Sequence, residues 1–175
     1  MVSSKECHII SVGGSLIVPK GNINTDFLSK FNNFIRDKLA ENTNRQFFIV
    51  TGGGHTARHY RDAGKSIVGK ELTIDDLDWL GIHATRLNAH LMRTIFRDIA
   101  HPRLIEHYDS ILKTDDPVVV AAGWKPGWST DYDAVLLAKN LKIDTIINMS
   151  DIGYVYDKDP KKHADAKKIR NLSWE

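Results

Sequence analysis

The chain has 175 residues, 42% of them hydrophobic and 26% charged. That is the composition of one soluble globular domain and excludes a disordered or fibrous chain. Lys plus Arg number 24 against 22 acids, a net charge of +2 that does not by itself point to nucleic acid. The single cysteine, Cys7, excludes a disulfide framework within the chain and any multi-cysteine metal site.

Residues 8–12 form a short apolar run that reads as a buried strand ending at Gly13-Gly14. Helical spacing of Phe27, Phe31, Phe34, Ile35 and Leu39 predicts a helix over 26–41, capped by Asn24 or Thr25. A second strand, 46–51, stops at Gly52-Gly53-Gly54, and residues 55–63 read as helix. Ile74, Leu77, Leu80, Ala84, Leu87, Leu91 and Ile95 step by three and four, which predicts a long helix with one apolar face. A third strand at 117–122 ends at Gly123. The loop from Trp124 to Ser129 leads to a helix at 131–141, where Thr130 and Asp133 match a capping pattern. Residues 143–149 give a fourth apolar strand.

Short apolar strands alternating with helices predict an α/β fold with a parallel sheet covered on both faces. In such sheets ligands bind beyond the carboxyl ends of the strands. The chemistry is therefore expected in loops 13–15, 52–54, 123–131 and 150–160. No run reaches the roughly 18 apolar residues of a membrane span. The charged start, Met-Val-Ser-Ser-Lys-Glu, does not resemble a secretion signal, and a cytoplasmic location is expected.

Gly52-Gly53-Gly54 is the strongest local signal. Three glycines between strand and helix let the backbone approach an anion at a helix N-terminus. One glycine would serve a plain turn, so phosphate binding is the favoured reading. Arg58, one helical turn on, extends a fork toward the same anion. Gly64-Lys65-Ser66 fails the Walker pattern because His59 stands at its first glycine position. Gly52, Gly54 and Ala57 match the dinucleotide fingerprint, but the acids that follow, Asp75 to Asp78, open a helix rather than end a strand. Gly13-Gly14-Ser15 is a second glycine loop, suited to the other end of a polyphosphate. Ser129, Thr130 and Asp131 stand at a helix start and suit an anion, a magnesium-linked phosphate or simple capping.

Other features read as bland. His55 and His59 share a helix face without the Glu of a hydrolytic zinc helix. Gly127-Trp-Ser-Thr-Asp lacks the last glycine of a nucleophile elbow. Lys158 to Arg170 mixes bases with acids, as a solvated face does.

Taken in order, these loops resemble the amino acid kinase family, and within it the archaeal type of uridylate (UMP) kinase. The resemblance rests on Val12-Gly-Gly-Ser-Leu-Ile-Val-Pro and Val50-Thr-Gly-Gly-Gly-His-Thr-Ala-Arg-His-Tyr. It continues through Asp78-Trp-Leu-Gly-Ile-His-Ala-Thr-Arg-Leu-Asn-Ala and Gly127-Trp-Ser-Thr-Asp-Tyr-Asp-Ala-Val-Leu-Leu-Ala. It ends with Val155-Tyr-Asp-Lys-Asp-Pro-Lys-Lys and Ala166-Lys-Lys-Ile.

The resemblance implies a three-layer αβα sandwich with a mainly parallel sheet. It implies one domain over 1–175, short at its C-terminus and lacking the last part of the family's nucleotide-binding region. It implies ATP- and magnesium-dependent phosphorylation of UMP to UDP in pyrimidine synthesis, in a homo-oligomer built from dimers, commonly a hexamer. Gly13, Gly14, Ser15, Gly54, Arg58, Ser150, Asp151, Tyr156 and Asp159 would serve ATP. Gly52, Gly53, Asp78, Trp124, Lys125, Gly127, Trp128, Ser129 and Thr130 would serve UMP. Asp131 and Arg58 would be the catalytic pair, with no dedicated protein metal site.

Three departures stand out. Ser11 occupies the place of a lysine that many relatives carry, and Lys125 is expected to supply charge instead. Trp124 and Trp128 replace smaller residues or histidine. Gly153 stands where an acid is usual, beside Asp151. The competing readings are a nucleotide- or anion-binding regulatory homologue without turnover, and a kinase of another small phosphate or carboxylate.

Overall fold

The computed structural model describes residues 5–110, 112–160 and 162–173. Four parallel strands make the central sheet: β1 (Glu6–Val12), β2 (Arg45–Thr51), β3 (Val118–Ala121) and β4 (Ile146–Met149), in the order β3-β2-β1-β4. The chain winds outward from β1 to β2 and β3, then returns to pair β4 on the other side of β1. That reversal places a crevice at the carboxyl ends of β1 and β4.

Each inner strand is apolar on both faces because both faces are covered. Ile10, Val12, Phe47, Ile49, Val118 and Val120 point one way, onto α2 (Thr25–Glu41) through Leu28, Phe31 and Ile35, and onto α4 (Ile74–Ile95) through Ala89 and Met92. Ile9, Phe48, Val50, Val119 and Ala121 point the other way, onto Ala134, Leu137 and Ala138 of α5 (Thr130–Leu141) and onto Ile105 and Tyr108. The alternation is the period-2 geometry of a strand. A short α1 (Gly14–Ile17) follows β1, and α3 (Gly54–Val68) packs along α4. The result is the expected three-layer sandwich. Among the described residues, no helix is long and apolar enough to cross a membrane.

Several boundaries differ from expectation. The second helix of the glycine loops runs to Val68 rather than residue 63, ending where Gly69 takes φ +70°. The last strand begins at Ile146, not residue 143. Ala100 and Ile105 bridge in parallel to Val118 and Ala121, so the segment after α4 lies along β3. A small antiparallel sheet, β5 (Val155–Tyr156) with β6 (Lys168–Ile169), was not foreseen. The segment joining its strands carries Lys158 and Lys162, which pair with Asp165 and Asp159.

The apolar stripe of α4 is the main correction. Its buried face is Ile82, Ala84, Thr85, Asn88, Ala89 and Met92, while Ile74 and Leu87 are 76% and 61% exposed. The helix reaches the strand ends through small and polar residues, because two loops must be held there.

Candidate active site

The two glycine loops touch backbone to backbone. Asn88 Nδ2 donates to the carbonyls of Gly52 and Gly53 at 2.8 and 3.2 Å. The Gly52 N–H donates to Val12 O, and the Gly13 N–H to Met149 O, which ties both loops to β1 and β4. A Cβ on Gly14 would lie 2.0 Å from Gly54 N, so no side chain fits between the loops. Gly54 adopts φ +63°, a conformation glycine takes without strain. The cap residue of α3, Gly53, supplies no side chain to the first-turn N–H groups. The His55 N–H is taken by Val18 O; among the described residues those of Gly54 and Thr56 remain for an anion, and the helix end is partially positive. Arg58 projects from the same turn and donates through Nη2 to Ser15 Oγ at 3.4 Å. Gly13, Gly14, Ser15, Gly52, Gly53, Gly54 and Arg58 thus lie together in one cradle at the carboxyl ends of β1 and β2.

The second element is loop 123–129. Thr85 Oγ1 accepts from Gly123 N at 2.8 Å. Arg86 donates to the carbonyls of Gly123 and Trp124 and is steadied by Glu106 at 3.3 Å. The Gly127 N–H donates to Asp78 Oδ2 at 2.8 Å, with Gly127 at φ +81°. Asp78 in turn faces Arg61 at 3.8 Å. This latch joins Asp78 to a loop 49 positions away. Lys125 lies over the rings of both Trp124 and Trp128, with Nζ 4.3 and 4.2 Å from the centroids. Trp128 packs edge-on against Trp124 and Tyr132. The loop is therefore an ordered aromatic ledge with a cation held against it.

The capping expectation is corrected here. Ser129, not Thr130, caps α5 and accepts from Tyr132 N. Thr130 is the first helical residue. Asp133, fully buried, does not complete a capping box; its Oδ2 accepts from Trp124 N at 3.3 Å, and its buried Oδ1 has no hydrogen-bond partner among the described residues.

Burial in that site raises the Asp133 carboxyl from 3.8 to about 6, opposed only by the Trp124 N–H. Between those values the folded chain keeps a proton that the unfolded chain has released. Stability therefore falls as pH rises across this window and is level above it. The span corresponds to about 3 kcal/mol. Asp133→Asn is expected to remove that slope, read as urea midpoints between pH 4 and pH 7. An unchanged slope would show that Asp133 titrates normally.

Asp131 stands at the junction of the two elements. Ser11 Oγ donates to its Oδ1 at 2.8 Å, and Asn148 Nδ2 to the same oxygen at 3.3 Å. Ser11, in the place of the family lysine, thus orients this carboxylate rather than neutralising charge. Ser150 lies beside Gly13: a Cβ on that glycine would sit 3.7 Å from Ser150 Cα. Asp151 follows it. Tyr156 and Asp159 belong to the β5–β6 region and are the predicted ATP residues placed outside the cradle. His55 and His59 lie ring against ring at 4.0 Å, and the described residues contain no group of three or more metal-capable side chains.

Sequence reasoning missed Thr85, Arg86, Asn88 and Asn148. Thr85 and Asn88 carried a signal: two polar residues three apart, on the same face of the central helix as Ala84, Ala89 and Met92.

The model of the amino acid kinase family matches residues 6–175. The uridylate kinase of Methanococcus aeolicus is 32% identical over 94% of this chain and 72% of its own length. That of Thermoplasma volcanium is 34% identical over 97% of this chain and 71% of its own. Among solved structures, the crystal structure of uridylate kinase from Archaeoglobus fulgidus superposes with a TM-score of 0.74 at 31% identity, over 91% of this chain and 71% of the other. Motif order, sheet topology and these likenesses agree: the chain belongs to the amino acid kinase family.

Proposed function

We propose that the chain transfers the γ-phosphoryl group of ATP to UMP, giving UDP and ADP. The observation that carries this reading is the pairing of two packed glycine loops with an ordered loop latched to Asp78. The likeness to named uridylate kinases supports the choice of acceptor.

The UMP phosphate oxygen attacks the γ-phosphorus, and the bond from that phosphorus to the β-bridging oxygen breaks. UMP brings an anionic nucleophile, so no general base is needed, and the protein's task is positioning and charge neutralisation. Gly13, Gly14 and Ser15 cradle the transferred group. Gly54 and Arg58 sit between donor and acceptor phosphates. Ser150, Asp151, Tyr156 and Asp159 line the ATP side. Gly52, Gly53 and loop 123–130 receive UMP, with Asp78 on the nucleoside and the Trp124–Trp128 ledge beside it. Lys125 supplies a positive charge at that ledge.

Asp131 is an exposed carboxylate with its two donors on one oxygen. That chemistry fits a magnesium ion, which takes oxygen ligands and completes its shell from phosphates and water. Magnesium held there would neutralise charge on the donor phosphates.

The reading includes a single domain over 1–175, a cytoplasmic place for this nucleotide chemistry, and a dimer-based homo-oligomer. Exposed Tyr60, Ile67 and Leu87 on α3 and α4 support self-association.

Asp78→Ala removes the partner of the Gly127 N–H. It is expected to weaken UMP binding about tenfold, the worth of one hydrogen bond to a charged group, while ATP binding stays near the parent value. Isothermal titration with each nucleotide reads this. Parent-like UMP binding by the variant would place the acceptor elsewhere.

A further inference from the structure

Arg58 is held by two bonds, and one comes from a residue with no role so far. Its Nη2 donates to Ser15 Oγ, and its Nε donates to His55 Nδ1 at 3.3 Å. The two residues are three apart on α3, so their side chains are neighbours on one face. The base of His55 is fixed as well, because its backbone N–H donates to Val18 O at 2.9 Å. Accepting at Nδ1 assigns the ring proton to Nε2. A protonated ring has no acceptor and would oppose one cation to another.

The surroundings keep the imidazole neutral. Partial burial comes first, then the positive groups His59 and Arg58 on α3 and Lys20 beyond α1; together they hold its pKa below 6.5. Asp62, two turns further along α3, opposes them. Ser15 is the uncharged neighbour across the cradle.

We propose that neutral His55 is a positioning residue that aims the Arg58 guanidinium at Ser15 and the phosphates held there. This rests on the reading of Arg58 as the cation between donor and acceptor. Losing the acceptor at position 55 frees the guanidinium to turn away. Protonating His55 has the same effect, so turnover falls as pH drops through the titration of this ring.

The test compares pH profiles of kcat/KM for ATP, at saturating UMP, for the parent, His55→Asn and His55→Leu. Asn Oδ1 stands close to where Nδ1 stood and does not titrate. Leu is expected to lose about tenfold at pH 8, the worth of a charge-assisted hydrogen bond. Asn is expected to recover most of that loss and to lack the parent's acid limb. Imidazole 15N NMR gives a second reading that does not depend on turnover: the His55 pKa rises in Arg58→Ala, where the adjacent cation is gone. Three coincident profiles, with Arg58→Ala inactive, would overturn the role of His55 and leave that of Arg58 intact. Full activity in Arg58→Ala would instead overturn the underlying reading of the site. A His55 titration unmoved by Arg58→Ala would refute the contact itself.

Discussion

Arg58→Ala is expected to lower kcat for UDP formation about a hundredfold or more, the usual cost of removing one preorganised donor from a transition state that gathers charge. The guanidinium reaches Ser15 across the cradle from the first turn of α3. There it would meet the same developing charge as the Gly54 and Thr56 N–H groups of the helix end. Arg58→Lys is expected to recover only part of the loss, because an ammonium keeps the charge but not the fork. Steady-state kinetics with saturating UMP and ATP read both, with circular dichroism confirming the fold. A kcat for the alanine variant within threefold of the parent would remove Arg58 from the mechanism.

Gly14→Ala is expected to be the most disruptive single methyl group in the chain. Its Cβ would meet Gly54 N at 2.0 Å, and Gly52 C and Gly54 Cα at 2.6 Å. All three are backbone atoms, so no rotamer relieves the clash and the glycine loops must part. Destabilisation of about 3 kcal/mol or more is expected, at or above the upper end for overpacking. That corresponds to a Tm lowered by about 6–12 °C. Gly81→Ala is the control. Among the described residues nothing lies within 4 Å of the added Cβ, and Gly81 is inside α4. Helix propensity then predicts a gain of up to about 1 kcal/mol. Differential scanning calorimetry of the two variants checks both signs. A Gly14→Ala chain as stable as the parent would show that the loops do not pack as described.

The layer arrangement was legible because the strands are short, apolar on both faces and stopped by glycine. The glycine loops and Arg58 were legible for the same local reason: their spacing is itself the device. What escaped was set by distant partners. Asp133 matches a cap pattern in sequence, yet Trp124 N draws it inward and Ser129 caps the helix instead. Leu87 fits the apolar stripe of α4, but the face that meets the strand ends is the one bearing Thr85 and Asn88, whose side chains bond loop backbone. Ser11 looked like the loss of a charge. Its hydroxyl proves to orient Asp131, a contact across 120 positions that no local pattern reveals. The β5–β6 pair was invisible because two-residue strands carry no periodicity.

The most direct test of the central claim is a competition assay. The purified chain is incubated with Mg-ATP and an equimolar panel of UMP, CMP, AMP, GMP, a non-nucleotide phosphate ester and aspartate, and every product is quantified. ADP release matched by UDP is expected, with UMP consumed ahead of every other acceptor. Preferential phosphorylation of another member of the panel would contradict the acceptor assignment, and UMP binding without any UDP would contradict the kinase reading in favour of a regulatory nucleotide-binding protein.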